Sequence, residues 1–307
     1  MATYHTGEIA VQDRAELSEQ ARFSLGGIGS AVPEVAAAFL TEQPAIFVGG
    51  QDAAGRVWAS QLTGPPGFLQ APTPHMLTIN ALPEPGDPLT DILAAASGRP
   101  ARLGMIALEP ATRRRMRING RAVAAGSGLR VDLDQVIANC PKYLQKRTYR
   151  FLDPDTDSMV LREVCESASL SPAQQQTVRE ADTFFIASTS DSGDADASHR
   201  GGNPGFVEVV SPRLLRWPDY VGNAMFLTLG NLLVHPAAGL LFPGWETGSA
   251  LHLTGTARTV WDPAVASATP GAQRVVEFAV ESVREVLGSS PLRWSTPAYS
   301  RFNPPVR

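Results

Sequence analysis

Short apolar runs separated by Gly, Pro, Asp and Ser clusters recur along most of the chain. Phe184–Ser188 is a compact apolar run, Asp191-Ser192-Gly193-Asp194 reads as a hairpin turn, and Ala195–His199 returns. Phe206–Val210 and Leu251–Thr254 alternate with period two, the second closing on Gly255, which predicts strands. Helical signals are fewer. Pro33–Leu40 reads as a helix started by Pro33, and Ser171–Ala181 as one with a Ser N-cap followed by Pro172 in the first turn. In Gln273–Leu287, Val275, Val276, Ala279, Val280, Val283 and Val286 predict an amphipathic helix stopped by Gly288. Ala224–Phe242 carries no acid, Lys or Arg over nearly the length of a membrane span. Gly230-Asn231, His235-Pro236 and Gly239 break it, so strand, turn, short segment and strand are expected there instead.

The pattern repeats. Phe47–Phe68 matches Phe185–Phe206 at an offset of 138, with eight identities in 22 positions, mostly at small turn residues. A second stretch follows at an offset of 135, where Leu103–Ile106 matches Ala238–Leu241 and Ile118–Ala122 matches Leu253–Ala257. So long a period is no solenoid. It predicts two copies of one small antiparallel β domain. Residues 1–30 are read as a helical arm, 31–130 as the first copy, 131–170 as a linker containing Asn139-Cys140-Pro141-Lys142-Tyr143, and 171–307 as the second copy with its C-terminal helix and tail.

Composition narrows the reading. With 27 glycines and 25 prolines in 307 residues the chain is too turn-rich for a helical bundle, and at 43% hydrophobic it is too apolar for disorder. A net charge of −4 argues against a nucleic-acid partner. The local exception, Arg113-Arg114-Arg115-Met116-Arg117, is read as the solvated side of a turn and strand rather than a polyanion site. Cys140 and Cys165 have no metal-ligand spacing, and their scarcity fits a cytoplasmic chain. Cys140, with no obvious base nearby, is read as a small buried residue. The N-terminus shows no secretion signal, and no membrane partner is expected.

Several motifs fall in a familiar order: Asp196-Ala197-Ser198-His199-Arg200-Gly201-Gly202-Asn203-Pro204-Gly205-Phe206-Val207, Pro218-Asp219-Tyr220-Val221-Gly222-Asn223, Thr228-Leu229-Gly230-Asn231, Gly239–Phe242 and Leu253-Thr254-Gly255. Together they resemble flavin-binding proteins related to pyridoxamine 5′-phosphate oxidase. Asn139–Tyr143 and Ser300-Arg301-Phe302-Asn303-Pro304 also recur in that group. The resemblance implies a mainly β fold with flanking helices, in which two tandem split β-barrels form a pseudo-dimer around FMN. A further homodimer of chains stays open.

A flavin needs cations and backbone N–H groups for its phosphate, and an apolar slot with donors for its ring. Ser198, His199, Arg200 and Gly201 would supply the first from a strand edge, Arg200 as a forked donor. The matching first-copy residues are Ser60, Gln61, Leu62 and Thr63, so one flavin per chain is expected. Thr228, Gly230 and Asn231 would cradle phosphate or ribityl oxygens from one turn. The basic pair common there in pyridoxamine phosphate oxidases is absent, and Lys142 is the candidate to replace it. Trp245 faces either the flavin or the core; Arg293 and Arg301 either reach the site or pack the tail. No catalytic residue stands out beyond His199, a candidate proton donor or flavin contact. The function implied is an FMN-dependent oxidoreductase acting on a small organic substrate. The alternatives are a flavin-nucleotide carrier or sensor without turnover, or a deazaflavin-dependent reductase.

Overall fold

The computed structural model describes residues 2–138, 141–153, 155–157 and 161–306. The period-two runs fold as strands. The first half contributes β1 (Ala45–Gln51), β2 (Val57–Thr63), β3 (Leu69–Thr73), β4 (Met76–Ile79), β5 (Ala101–Glu109), β6 (Arg114–Ala125) and β7 (Gly128–Ala138). The second contributes β8 (Thr183–Thr189), β9 (Ala195–Gly201), β10 (Glu208–Ser211), β11 (Leu214–Asp219), β12 (Ala237–Pro243), β13 (Ala250–Val260) and β14 (Arg274–Leu287). The antiparallel sheets run β2-β1-β5-β6-β7-β4-β3 and β9-β8-β12-β13-β14-β11-β10, the same order twice. Each gains an eighth short strand, Ile28–Gly29 on β7 and Glu163–Ser167 on β14.

Helices flank the sheets: α1 (Thr6–Arg14), α2 (Ser18–Leu25), α3 (Glu34–Thr41), α4 (Pro88–Ala95), α5 (Pro172–Glu180), α6 (Leu227–Val234) and α7 (Pro263–Ser267). α5 starts as its sequence dictates. Ser171 caps it, and Gln174 bonds back to the Ser171 N–H in a capping box. No helix among the described residues is long and apolar enough to cross a membrane.

The registers reproduce the sequence offsets. Gly49 pairs with Gly104, as Ala187 pairs with Gly239. β6 and β13 bulge at equivalent places, between Asn119 and Gly120 and between Thr254 and Gly255. Glycine is required at both, because a Cβ would collide with the carbonyl of Asp132 or Ala279 on the neighbouring strand.

The halves meet about a pseudo-twofold axis. Phe47 stacks on its own counterpart Phe185 with centroids 3.5 Å apart and planes 9° off parallel. Gly49 abuts its counterpart Ala187. Gly104 lies against the backbone of Asp196, and reciprocally Gly239 lies against that of Trp58. Such i-to-j and j-to-i reciprocity defines an isologous interface, here inside one chain. Ala59, Ile106, Ala197, Leu241 and Trp294 complete its apolar core.

Three segments differ from expectation. Gln273–Leu287 is not a helix but the long strand β14. Its valines stiffen χ1 and suit a sheet, and β11, β13 and Glu163–Ser167 pair with it along its length. The uncharged stretch after Ala224 contains α6, so Thr228–Asn231 form a helix rather than a turn. Its Leu227, Leu229 and Leu232 are buried. Gly128–Ala138 is the last strand of the first sheet and runs beyond residue 130 into the segment read as linker. Asn139 and Cys140 lie outside the described residues. Cys165 is exposed and free.

Candidate functional site

Between the halves, beside β9, a cleft of about 320 Å³ opens. That lies at the lower end of the range of about 300–1,000 Å³ for small-molecule sites. β9 presents His199, Arg200 and Gly201; the end of β11 and the following loop present Pro218–Ala224; α6 offers Thr228 from its first turn. Lys142 and Tyr143 come from the connection between the halves, and Leu17 and Gln20 from the N-terminal arm. The first half reaches across with Ile106, Arg115 and Arg117.

The lining is strongly cationic. Arg115, Arg117, Lys142, Arg200 and Arg274 face one carboxylate, Asp219, among the described residues. Asp219 is shared, since Arg274 Nε lies 3.6 Å from its Oδ2 and Arg200 also acts on it electrostatically. Burial nonetheless pushes the Asp219 carboxyl above its ordinary range. Arg274 is stacked over Phe226 and Trp261, at 4.8 and 5.1 Å, while its Nε and Nη1 are buried without a hydrogen-bond partner. Arg117 Nε is likewise unpartnered. Buried guanidinium N–H groups are costly to leave unpaired, so these donors could pair with an anion in the cleft.

Behind the cleft a polar network locks the wall. Arg117 pairs with Asp196 at 3.2 Å and bonds the Ser198 hydroxyl. Ser198 Oγ lies 2.9 Å from Thr228 Oγ1 and 3.2 Å from Asp196 Oδ2. The His199 ring is 5% exposed, edge-on to Phe185, with Nδ1 2.9 Å from Arg115 Nη1. Burial, then the charges of Arg115 and Arg200, hold its pKa well below the usual imidazole value. At the mouth Tyr143 and Tyr220 stand 4.9 Å apart, and burial with Tyr143 nearby pushes the Tyr220 hydroxyl up to about 12. A Cβ at Gly201 would strike the Tyr143 carbonyl, so this glycine lets the connection cross β9.

Of the residues singled out from sequence, His199, Arg200, Gly201, Thr228 and Lys142 meet in this cleft. Ser198 lies in the network behind it. Gly230 packs against Glu8 of α1, and Asn231 ties His5 to Ser188, at 3.0 Å each. Trp245 sits at the interface core, edge-on to Phe47 and Trp294. Arg293 bonds the carbonyls of Ser290 and Leu292 beside a separate surface cleft, and Arg301 lies over Phe302 by another. None of these six is among the residues lining the cationic cleft.

Arg115 and Arg117, expected as solvated, turn inward instead. The signal was their spacing, since residues two apart on β6 share one face, whereas Arg114 points outward to Glu109. Arg113, also in the cluster, anchors the carbonyls of Leu144, Ala298 and Tyr299. Arg274 was hidden by the helical reading of its segment.

The pseudo-symmetric position is closed. Gln61 and Leu62 stand for His199 and Arg200, and Ala250 and His252 for Arg115 and Arg117. Trp58 replaces Asp196 and fills the space at 1% exposure, its Nε1 donating to Asp52. Leu62 belongs to the first half's core.

Residues 170–287 match the family model of pyridoxamine 5′-phosphate oxidase. The similarity to that family lies in the second half. The two sheets of like strand order agree with the doubled β fold expected from the repeat. HupZ of Group A Streptococcus is similar at 12% identity over 36% of this chain and 90% of its own, with a TM-score of 0.31. An FAD-binding protein of Mycobacterium smegmatis is similar at 15% identity, over 39% and 98%, with a TM-score of 0.28. A Clostridium acetobutylicum protein related to general stress protein 26, of the pyridoxinephosphate oxidase family, is similar at 12% identity, over 34% and 78%, with a TM-score of 0.24. No curated protein sequence matches the chain.

Proposed function

We propose that the cleft binds FMN and that the chain is a flavin-dependent oxidoreductase acting on a small organic substrate. The observation that carries this is the convergence of five cations, Arg117 and Arg274 among them with unpartnered buried N–H groups, on a cleft between the halves that is lined mostly by residues of the family-matched segment. A phosphate monoester carries a charge of about −1.5 to −2 near neutrality and accepts several hydrogen bonds. The guanidinium groups of Arg117, Arg200 and Arg274 and the Lys142 ammonium suit it. Ile106, Phe206 and Leu229 supply apolar wall for a ring. Bound flavin would supply the two-electron chemistry. The chain's own groups orient it: Arg117 is fixed by Asp196, Arg274 by its aromatic stack, and Tyr143 and Tyr220 border the mouth.

The Tyr143–Tyr220 pair and the connection crossing at Gly201 favour, as a second reading, a carrier that holds flavin without turnover. Titration of the purified chain with FMN, followed by fluorescence quenching, tests binding, with one equivalent per chain expected. Photoreduction and re-exposure to air, with and without nicotinamide or organic reductants, separates an enzyme from a carrier. Absence of uptake at micromolar FMN overturns both readings.

A further inference from the structure

His199 has two ring nitrogens in different situations. Nδ1 lies 2.9 Å from Arg115 Nη1. A guanidinium only donates, so Nδ1 is the acceptor and the ring proton resides on Nε2. Nε2 is buried and has no partner. The ring is held by Phe185 on one side and by the Gly201 backbone near Cε1 on the other. A buried donor left unpaired beside a ligand cleft is a cost that a ligand can relieve.

We propose that His199 is a fixed, neutral Nε2–H donor to an acceptor atom of the bound flavin, with Arg115 of the opposite half as the positioning residue that sets its tautomer. The inference rests on the flavin reading. It replaces the expectation of a proton donor in the acid–base sense, since the ring holds its proton rather than passing it on. Around the ring stand Arg115 and Arg117 from β6 and Arg200 on β9, with Lys142, Arg274 and Asp219 across the cleft. Cations dominate this set and oppose imidazolium formation, in the same direction as burial. Gln61 occupies the equivalent first-half position and carries a comparable amide donor.

The test combines spectroscopy with binding. Long-range ¹H–¹⁵N spectra of the full chain should show His199 as the neutral Nε2–H tautomer from about pH 5.5 to 8, the range in which a free imidazole titrates. His199→Leu should weaken FMN binding by about tenfold, the worth of one strong hydrogen bond. His199→Gln, which restores a donor, should stay close to wild type. Repeating the titration with riboflavin locates the acceptor. A penalty that persists places it on the ring or ribityl chain, and one that vanishes places it on the phosphate. An Nδ1–H tautomer, a titration within that range, FMN binding by His199→Leu equal to wild type, or His199→Gln as weak as His199→Leu each overturns the donor role while leaving the flavin reading intact. Failure of the wild-type chain to bind FMN overturns both.

Discussion

Replacing Glu8 by Gln should stabilise the protein above neutral pH. Glu8 lies in the first turn of α1, is 6% exposed and faces Gly230 of α6. Its Oε2 accepts the His5 N–H at 2.9 Å. Burial, reinforced by Asp196, pushes its carboxyl up to about 8, although the His5 N–H and Arg117 pull the other way. The folded state therefore holds a proton that the unfolded chain, with an ordinary carboxyl near 4.5, gives up earlier. Stability from this group is complete below pH 4.5 and falls as pH rises to about 8. At about 1.4 kcal/mol per pH unit across that window, the full loss is about 4–5 kcal/mol. Gln at this position can still accept the His5 N–H and does not ionise. Thermal melts from about pH 5 to 9 should show the wild type losing stability relative to Glu8→Gln as pH rises, the gap between the two profiles opening toward pH 8. If the arm undocks before the barrels unfold, the loss appears as local opening of α1, read by hydrogen exchange or by the fluorescence of Trp261, over which Arg14 lies at 4.6 Å. Parallel pH profiles for the two proteins in melts and in exchange would refute the reasoning.

Arg200→Ala should weaken FMN binding by about tenfold or more, whereas Arg56→Ala, whose side chain pairs with Asp52 away from the cleft, should leave it unchanged. Equal effects in a fluorescence titration would contradict the single-site assignment. Restoring the motif in the first half with Gln61→His and Leu62→Arg should not raise the stoichiometry above one flavin. Trp58 still fills the space, and Ala250 and His252 still stand where the arginines are needed. A second equivalent in an absorbance titration would show the mirror position to be open. Gly239→Val should cost about 2–3 kcal/mol in denaturant unfolding, because its Cβ would sit 2.5 Å from the Trp58 backbone. A change within about 0.5 kcal/mol would mean that the halves yield at the axis.

The repeat made the doubled β architecture legible, because Gly and Ser at turns and bulges constrain the backbone wherever they occur. Helix against strand was less legible at Val275–Val286, where apolar spacing fits both periods and β-branching together with three pairing strands decides for the sheet. α6 was hidden because Gly230 and Asn231 look like turn residues. Gly230 is in fact the close contact with α1, and Asn231 is its tether to His5. For the site, β9 carried its own signature, so His199, Arg200 and Gly201 could be read locally. Arg115 and Arg117 reach it only through the pseudo-twofold axis, a relation between residues more than eighty positions apart that local pattern does not encode.

The stacking of Phe47 on Phe185 also bears on how the protein behaves when scarce. Arginines from one half and a histidine from the other form one cleft, so a two-chain version would lose it on dilution below its dissociation constant. Joined in one chain, the halves meet at an effective concentration set by the connection, in the millimolar range for short flexible linkers. The site should thus keep its affinity at nanomolar protein concentrations. Within one chain the two copies can also differ, Leu62 and Trp58 standing where the other has Arg200 and Asp196, a division of labour closed to two identical subunits.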